Sequence, residues 1–289
     1  MPRYPLTLLD VFAVRPLEGN LLAVIHDAGD VSTETMQTLA RRFNLAETSF
    51  IQPATDPGAT YRHRIFTVSD ELPFAGHPSI GTAVAWAHAH GAASAHYVQQ
   101  TKSGLQELWV ERDDRHAQAK LRQNPVEFGN EIDSAPILVA LGLSADDTHP
   151  SLPAQVASTG LPTTIVPLAE AGALKRIAVD WPAFRAAMGD GSDATIAHNC
   201  YVVAEIAPGH WAARMFAADI PGGEDAATGS AAGPFGAYLH ARLGLQAVSI
   251  DQGVEMGSPS RLEVDLTHGI VLSGSVWLIS TGEIDLPGE

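Results

Sequence analysis

The amino-acid sequence predicts an α+β fold of two lobes related by duplication, each built on strands around a buried helix. Three observations carry this. Short apolar runs, alternating or continuous and bounded by turn residues, outnumber helical patterns along the chain. Residues 64 to 91, RIFTVSDELPFAGHPSIGTAVAWAHAHG, share an order of parts with residues 214 to 244, RMFAADIPGGEDAATGSAAGPFGAYLHARLG. Each has Arg, an apolar residue and Phe on a strand, an acidic loop, a small-residue turn and an alanine-rich helix that ends at glycine. An offset of 153 carries Gly76 onto Gly229, His77 onto Ser230 and Gly91 onto Gly244. Both helices are also too apolar on every side to lie on a surface, which makes each the centre of its lobe.

Taken in order, the strands are expected at LTLLDVFAV, NLLAVIH, TSFIQP, YRHRIFTV, LQELWVER and AQAKLRQ, with STETMQTLARRF a helix capped by its Ser or Thr. After NPVEFGN the pattern resumes with a short helix at SAPILVALGL, a strand at TTIVPLA and a second helix at WPAFRAAMG. Strands follow at NCYVVAEI and WAARMFAA, and VSIDQGVEM, RLEVDLT and IVLSGSVWLIS close the fold. The lobe boundary is placed within residues 124 to 130, giving lobes 1–126 and 127–289, with the last strand a candidate to return to the first lobe.

The 289 residues are 45% hydrophobic, ample for a sizeable core. With 33 acidic and 17 basic side chains the formal charge is -16, which would repel phosphate backbones and anionic lipid and argues against nucleic-acid and membrane partners. The single cysteine, Cys200, allows no internal disulfide, and MPRYPLTLLDVF lacks the features of a signal peptide, so a cytoplasmic location is expected. No apolar run reaches the roughly 20 residues that a membrane span needs.

GGEDAATGSAAG, residues 222 to 233, places residues with almost no side chain where the second central helix begins. If duplication brings the two helix starts to a shared cleft, their unpaired N–H groups favour a carboxylate or oxyanion, by roughly 0.3 to 2 kcal/mol each. The partner expected is then a small anionic substrate, with the glycines and alanines letting it approach the backbone. GSAAGP lacks the Lys and spacing of a phosphate loop, and ATGSAAG is not the elbow of a serine hydrolase. The ionisable residues nearest these turns are Asp70, Glu71 and His77 in the first copy and Glu224 and Asp225 in the second. In FNLAETSF, Glu47 lies between small residues just before a strand, with no cation beside it in sequence, which suits a carboxyl of raised pKa that passes protons.

ELPFAGHPSIGTA, FNLAETSF, PLEGNLLAV and EDAATGSAAGPFGAYL together resemble the PhzF-like family, named for the isomerase of phenazine biosynthesis, within the diaminopimelate epimerase fold. The likeness runs nearly end to end. It implies two pseudo-symmetric lobes, each a mixed β-sheet wrapped around a central α-helix, with the active site in the cleft between them. Relatives that epimerise with two cysteines are not matched, because neither helix start carries one; Cys200, in NCYVV, reads as a small buried hydrophobe. By resemblance Glu47 is the catalytic carboxylate, taking the C3 proton of trans-2,3-dihydro-3-hydroxyanthranilate and returning one to C1. His77 and Asp225 match its polar catalytic partners, while Asn20, Gly76, Thr228, Gly229 and Ser230 match substrate-binding positions. The resemblance implies no cofactor, no metal and a homodimer.

Ala46 stands where the phenazine enzymes carry a hydroxyl and Ser258 where GRPS is common, and both bear on which carboxylate is accepted. An isomerase or epimerase of another small carboxylate, and a binding protein without turnover, are the alternatives. His88, His90 and His96 in HAHGAASAH lack ligand spacing for a metal and read as a solvated helix end. The five scattered tryptophans favour core packing over a platform for bases.

Overall fold

The apolar runs of the first half pair around one alanine-rich helix in a computed structural model, which describes residues 1–189, 197, 199–218 and 220–287. The first half comprises β1 (Arg3–Val11), β2 (Asn20–Ile25), α1 (Thr33–Phe43), β3 (Thr48–Gln52), β4 (Tyr61–Phe66), β5 (Glu71–Leu72), α2 (Gly76–Ala89), β6 (Ser94–Thr101), β7 (Gly104–Arg112) and β8 (His116–Arg122). The second comprises β9 (Glu127–Glu131), α3 (Ala135–Ala140), β10 (Gln155–Ser158), β11 (Pro162–Pro167), α4 (Ala171–Leu174), α5 (Trp181–Met188), β12 (Asn199–Ala207) and β13 (His210–Ala217). It ends with β14 (Glu224–Asp225), α6 (Gly229–Leu243), β15 (Ala247–Gln252), β16 (Ser260–Asp265) and β17 (Val271–Asp285).

The first sheet closes on itself. β1 pairs with β2, β2 with β3, β3 with β4 and β4 with β6; β6, β7, β8 and β17 follow, and β17 returns to β1. Closure removes the exposed edges that an open sheet would present. Within it lies α2, against β1, β2, β7, β8 and β17, with residues from Gly76 to Ala85 all buried. A helix enclosed on every side can carry no solvated face, which is why its sequence is mostly alanine, glycine and other small residues, with His77, Ser79 and Thr82 buried among them.

The second half repeats these pairings. β2 and β3 run parallel, as do β11 and β12; β4 and β6 run parallel, as do β13 and β15. The chain continues from β9 through β10, β11, β12, β13, β15 and β16 to β17, over the buried α6. At fifteen residues, β17 is long enough to pair with β16, β8 and β1, so one strand ties both arrays together.

Both halves keep the same Arg clamp. Arg64 donates from Nε and Nη2 to the two carboxylate oxygens of Glu71, each at 2.8 Å, and lies over the Phe66 ring. Arg214 does the same to Glu224, each bond 2.7 Å, over Phe216. The guanidinium fork fixes two bonds at once and stacks on the ring, so it holds β5 and β14 against their strands. Glu71 and Glu224, two candidate site residues of the acidic loops, are therefore held in ion pairs. Asp70 is an exposed turn residue whose carbonyl accepts from Thr67 N–H.

Five strands lie where the sequence suggested none: the two-residue β5 and β14, and β6, β9 and β10. Every residue of β9 is exposed, so no apolar alternation marks it, while β6 turns Gln99 inward and breaks the expected pattern. His96 accordingly sits on β6, stacked on Trp109 and 3.4 Å from Glu107, rather than at a helix end. His90 does cap α2, donating from Nδ1 to Trp86 O at 2.9 Å. Cys200 is fully buried on β12, where burial pushes its thiol pKa up and leaves it inert. No helix among the described residues is long and apolar enough to cross a membrane.

Candidate functional site

The starts of α2 and α6 meet backbone to backbone. A Cβ placed on Gly76 would lie 2.4 Å from the carbonyl carbon of Gly229 and 2.7 Å from Ser230 N. One placed on Gly229 would lie 3.0 Å from Gly76 Cα. The sequence suggested that small residues here admit a substrate; the structure gives both glycines a nearer cause, the close approach of two helices. Ala75 and Thr228 precede the helices and neither caps its helix with its side chain, so the first-turn N–H groups keep their partial positive charge. Ser230 is buried in the first turn of α6.

Three distant segments converge beside this junction. Glu47, in the turn between α1 and β3, places Oε2 3.3 Å from Nδ1 of His77, the second residue of α2. Asn20, at the start of β2, donates from Nδ2 to Asp225 Oδ1 at 2.6 Å and to Ala227 O at 3.3 Å. Its Nδ2 also lies 3.4 Å from His77 Nδ1. An amide nitrogen carries two hydrogens, and the Asp225 and Ala227 carbonyl contacts use both. Glu47 Oε2 and His77 Nδ1 thus face each other across 3.3 Å, a carboxyl oxygen beside an imidazole nitrogen.

Asp225 is clamped by donors. Beyond Asn20, its Oδ2 accepts from Thr228 Oγ1 at 2.6 Å, and the N–H groups of Ala226 and Ala227 bond it as well. Complete burial raises its pKa to about 6, against these hydrogen bonds, which all favour the charged form. Burial lowers His77 to about 3, with His63 adding to the effect, so His77 is neutral at pH 7. Its Nε2 is buried without a hydrogen-bond partner. Thus the structure brings together Asn20, Glu47, His77, Asp225, Thr228 and the two glycines. Among the described residues, no three His, Cys, Asp or Glu side chains are arranged to hold a metal ion.

Sequence reasoning missed Gln252, at the end of β15 and fully buried. It donates from Nε2 to Asp225 O at 2.8 Å and to Thr228 Oγ1 at 2.9 Å, and accepts at Oε1 from Thr228 N–H and Tyr201 O–H, each at 3.1 Å. The same 153-residue offset carries Gln99 onto Gln252, and Gln99 is equally buried, between His63, Ser79 and Gln106. That correspondence was the available signal.

These pKa values set how stability varies with pH. His26 and His63 are lowered to about 4 and His77 to about 3, all chiefly by burial. Between about pH 6.5 and 4 the unfolded chain binds these three protons and the native state does not, so stability falls as pH falls through that window. Asp225 opposes this with one proton, since its raised pKa favours the native state below about 6. Three protons outweigh one. The urea midpoint should drop between pH 7 and pH 5, and His63→Gln should flatten the drop; an unchanged midpoint would contradict the buried neutral histidines.

Comparison with known proteins follows the same lines. A model of the PhzC-PhzF family, described as phenazine biosynthesis-like protein, matches residues 9–275. A trans-2,3-dihydro-3-hydroxyanthranilate isomerase of Pseudomonas aeruginosa is 38% identical over 269 residues, covering 91% of this chain and 89% of that protein. An uncharacterised isomerase of Mesorhizobium japonicum is 38% identical over 276 residues, covering 90% and 89%. The solved structure of a predicted epimerase from Pseudomonas aeruginosa is similar at TM-score 0.81 and 35% identity, covering 97% of this chain and 99% of that one.

Proposed function

The chain belongs to the PhzC-PhzF family of phenazine biosynthesis-like proteins, whose named relatives are isomerases, and from that premise we propose that it isomerises a small cyclic amino carboxylate by acid–base proton transfer. The specific substrate of this reading is trans-2,3-dihydro-3-hydroxyanthranilate. One observation supports it above the others: the Glu47 carboxyl stands 3.3 Å from His77 Nδ1 where two helix starts meet. In this reading the two strand arrays are pseudo-symmetric lobes, 1–126 and 127–289, with the site in the cleft between them.

Glu47 takes the proton from C3. The electron pair left behind forms C3=C4, the ring double bond moves to C5=C6, and the C1=C6 pair accepts a proton at C1 from Glu47. The C3 enol then becomes a ketone. Atoms and electrons balance within the substrate, so no electron donor or acceptor takes part. Asp225 and His77 hold the substrate amine and hydroxyl, and the amides at Gly76, Gly229 and Ser230 receive the carboxylate, the kind of fixed charge stabilisation that contributes most in such sites. A second reading, another small carboxylate on the same machinery, is favoured by Ala46, which removes a hydroxyl beside Glu47.

Incubating the purified protein with trans-2,3-dihydro-3-hydroxyanthranilate in deuterated water tests the proposal. Loss of the substrate's ultraviolet absorbance is expected, with one deuterium entering at C4 as the enol becomes the ketone and deuterium at C1 only in so far as Glu47 exchanges its proton with solvent between the two steps. Unchanged substrate would sink the specific reading and leave the second.

A further inference from the structure

We infer that Gln252 is a positioning residue that fixes, through the Thr228 hydroxyl, the direction of the hydrogen bond made to Asp225, and that it does so independently of any ligand. The inference rests on reading Asp225 as a site residue and adds to that reading the group that orients it.

Thr228 N–H can only donate, so the Gln252 atom facing it at 3.1 Å must be Oε1. Asp225 O can only accept, so the atom facing it at 2.8 Å must be Nε2. Two backbone groups therefore lock the amide in one orientation, and no flip satisfies both. With Nε2 locked, its second hydrogen points at Thr228 Oγ1, 2.9 Å away. That oxygen already receives a hydrogen, so its own proton goes onward to Asp225 Oδ2 at 2.6 Å. Tyr201 O–H fills the remaining acceptor site on Oε1. All four hydrogen-bonding capacities of the amide are used, which is what a buried amide requires.

The consequence is a donor that cannot turn away from Asp225 when the proton inventory of the site changes. A serine or threonine hydroxyl ordinarily rotates to suit its neighbours; here rotation would set two donors, Gln252 Nε2–H and Thr228 O–H, against one another. The carboxylate form of Asp225 is thereby favoured over what burial alone would allow. The titratable groups around Asp225 are Tyr201 on β12 and, across Asn20, Glu47 and His77; Arg214 and Glu224 satisfy each other on the neighbouring strands.

The test reads Asp225 directly, by its side-chain carboxyl carbon resonance during a pH titration of the whole chain without substrate. Gln252→Met keeps the length and removes the donors, and Thr228→Val removes the hydroxyl. Each is expected to raise the midpoint by about one pH unit, the effect of a charge-assisted hydrogen bond lost. Thr228→Ser should restore it. Because Gln252 acts through Thr228, the double variant should titrate like Thr228→Val alone. Tyr201→Phe should leave the midpoint unchanged, since the backbone groups still lock the amide. A Gln252→Met midpoint equal to wild type, or fully additive effects, would overturn the inference.

Should Gln252→Met fail to fold, the wild-type Gln252 amide protons decide. They are expected to shift with the Asp225 midpoint, and a flat profile would overturn the inference. Turnover gives a separate readout. A displaced Asp225 midpoint without turnover of trans-2,3-dihydro-3-hydroxyanthranilate sinks the substrate reading and leaves Gln252 in its role. Turnover with an undisplaced midpoint does the reverse.

Discussion

Glu47→Gln is expected to lower kcat by about a thousandfold, the usual range for removal of a general acid or base, while ligand affinity changes only a few-fold. Glutamine keeps the size of the side chain and offers His77 Nδ1 a hydrogen-bond partner in place of the carboxylate 3.3 Å away. What it cannot do is hold a proton between the two steps. In the proposed mechanism the same carboxylate is base at C3 and acid at C1, so both steps should fail together and no intermediate should accumulate. Glu47→Asp separates charge from position: it restores the carboxylate but withdraws it by one methylene, and should recover only a small part of the rate. The measurements are single-turnover rates with the dihydro-hydroxyanthranilate and calorimetric binding of a stable aromatic analogue. Wild-type turnover in Glu47→Gln would transfer the acid–base role to another group, and Asp225, raised to about 6, would be the first to examine.

How much of this was legible in the sequence depends on whether a residue's reason lies in its own segment. α2 and α6 were legible because a helix buried all round must be apolar all round, and their shared offset showed in the glycines at both ends, with Arg64 and Arg214 keeping the same order of parts ahead of them. Neighbouring elements with simple alternation, such as β7 and β8, fell where the pattern put them. β9 was invisible because it has no buried side: its strand character comes only from pairing with β10. Of the site, Glu47, His77, Asn20 and Asp225 were nameable from motifs that resemble a known family. Their contacts were not, because Asn20 and Asp225 are 205 positions apart. Gln252 was missed for a related reason. A glutamine at a strand end usually faces water, and only the donors of Tyr201 and Thr228 show that this one does not.

Gly76→Ala should be among the most damaging single-methyl changes at the described residues. The new Cβ would sit 2.4 Å from Gly229 C and 2.6 Å from Gly229 Cα, far inside contact distance and against backbone that has no rotamer to change. Relief requires the start of α2 to move away from the start of α6 by about 1 Å, and extra atoms forced into a packed core typically cost 1–3 kcal/mol or more. Here the cost is expected at about 3 kcal/mol, because Gly229 is itself pinned by Leu272 and by Gln123, whose Nε2 donates to Gly229 O at 2.8 Å. The same movement carries His77, the next residue, away from Glu47, and a misplacement of about 1 Å can cost roughly a hundredfold in rate. Gly172→Ala is the control. It lies in α4 with nothing within 4 Å of the added carbon, and should be neutral or stabilising by about 0.5 kcal/mol through the unfolded chain. Urea denaturation of the two variants beside the wild type gives the comparison. If Gly76→Ala unfolds at the wild-type midpoint, the two helix starts are not in contact, and the site built on their meeting falls with it.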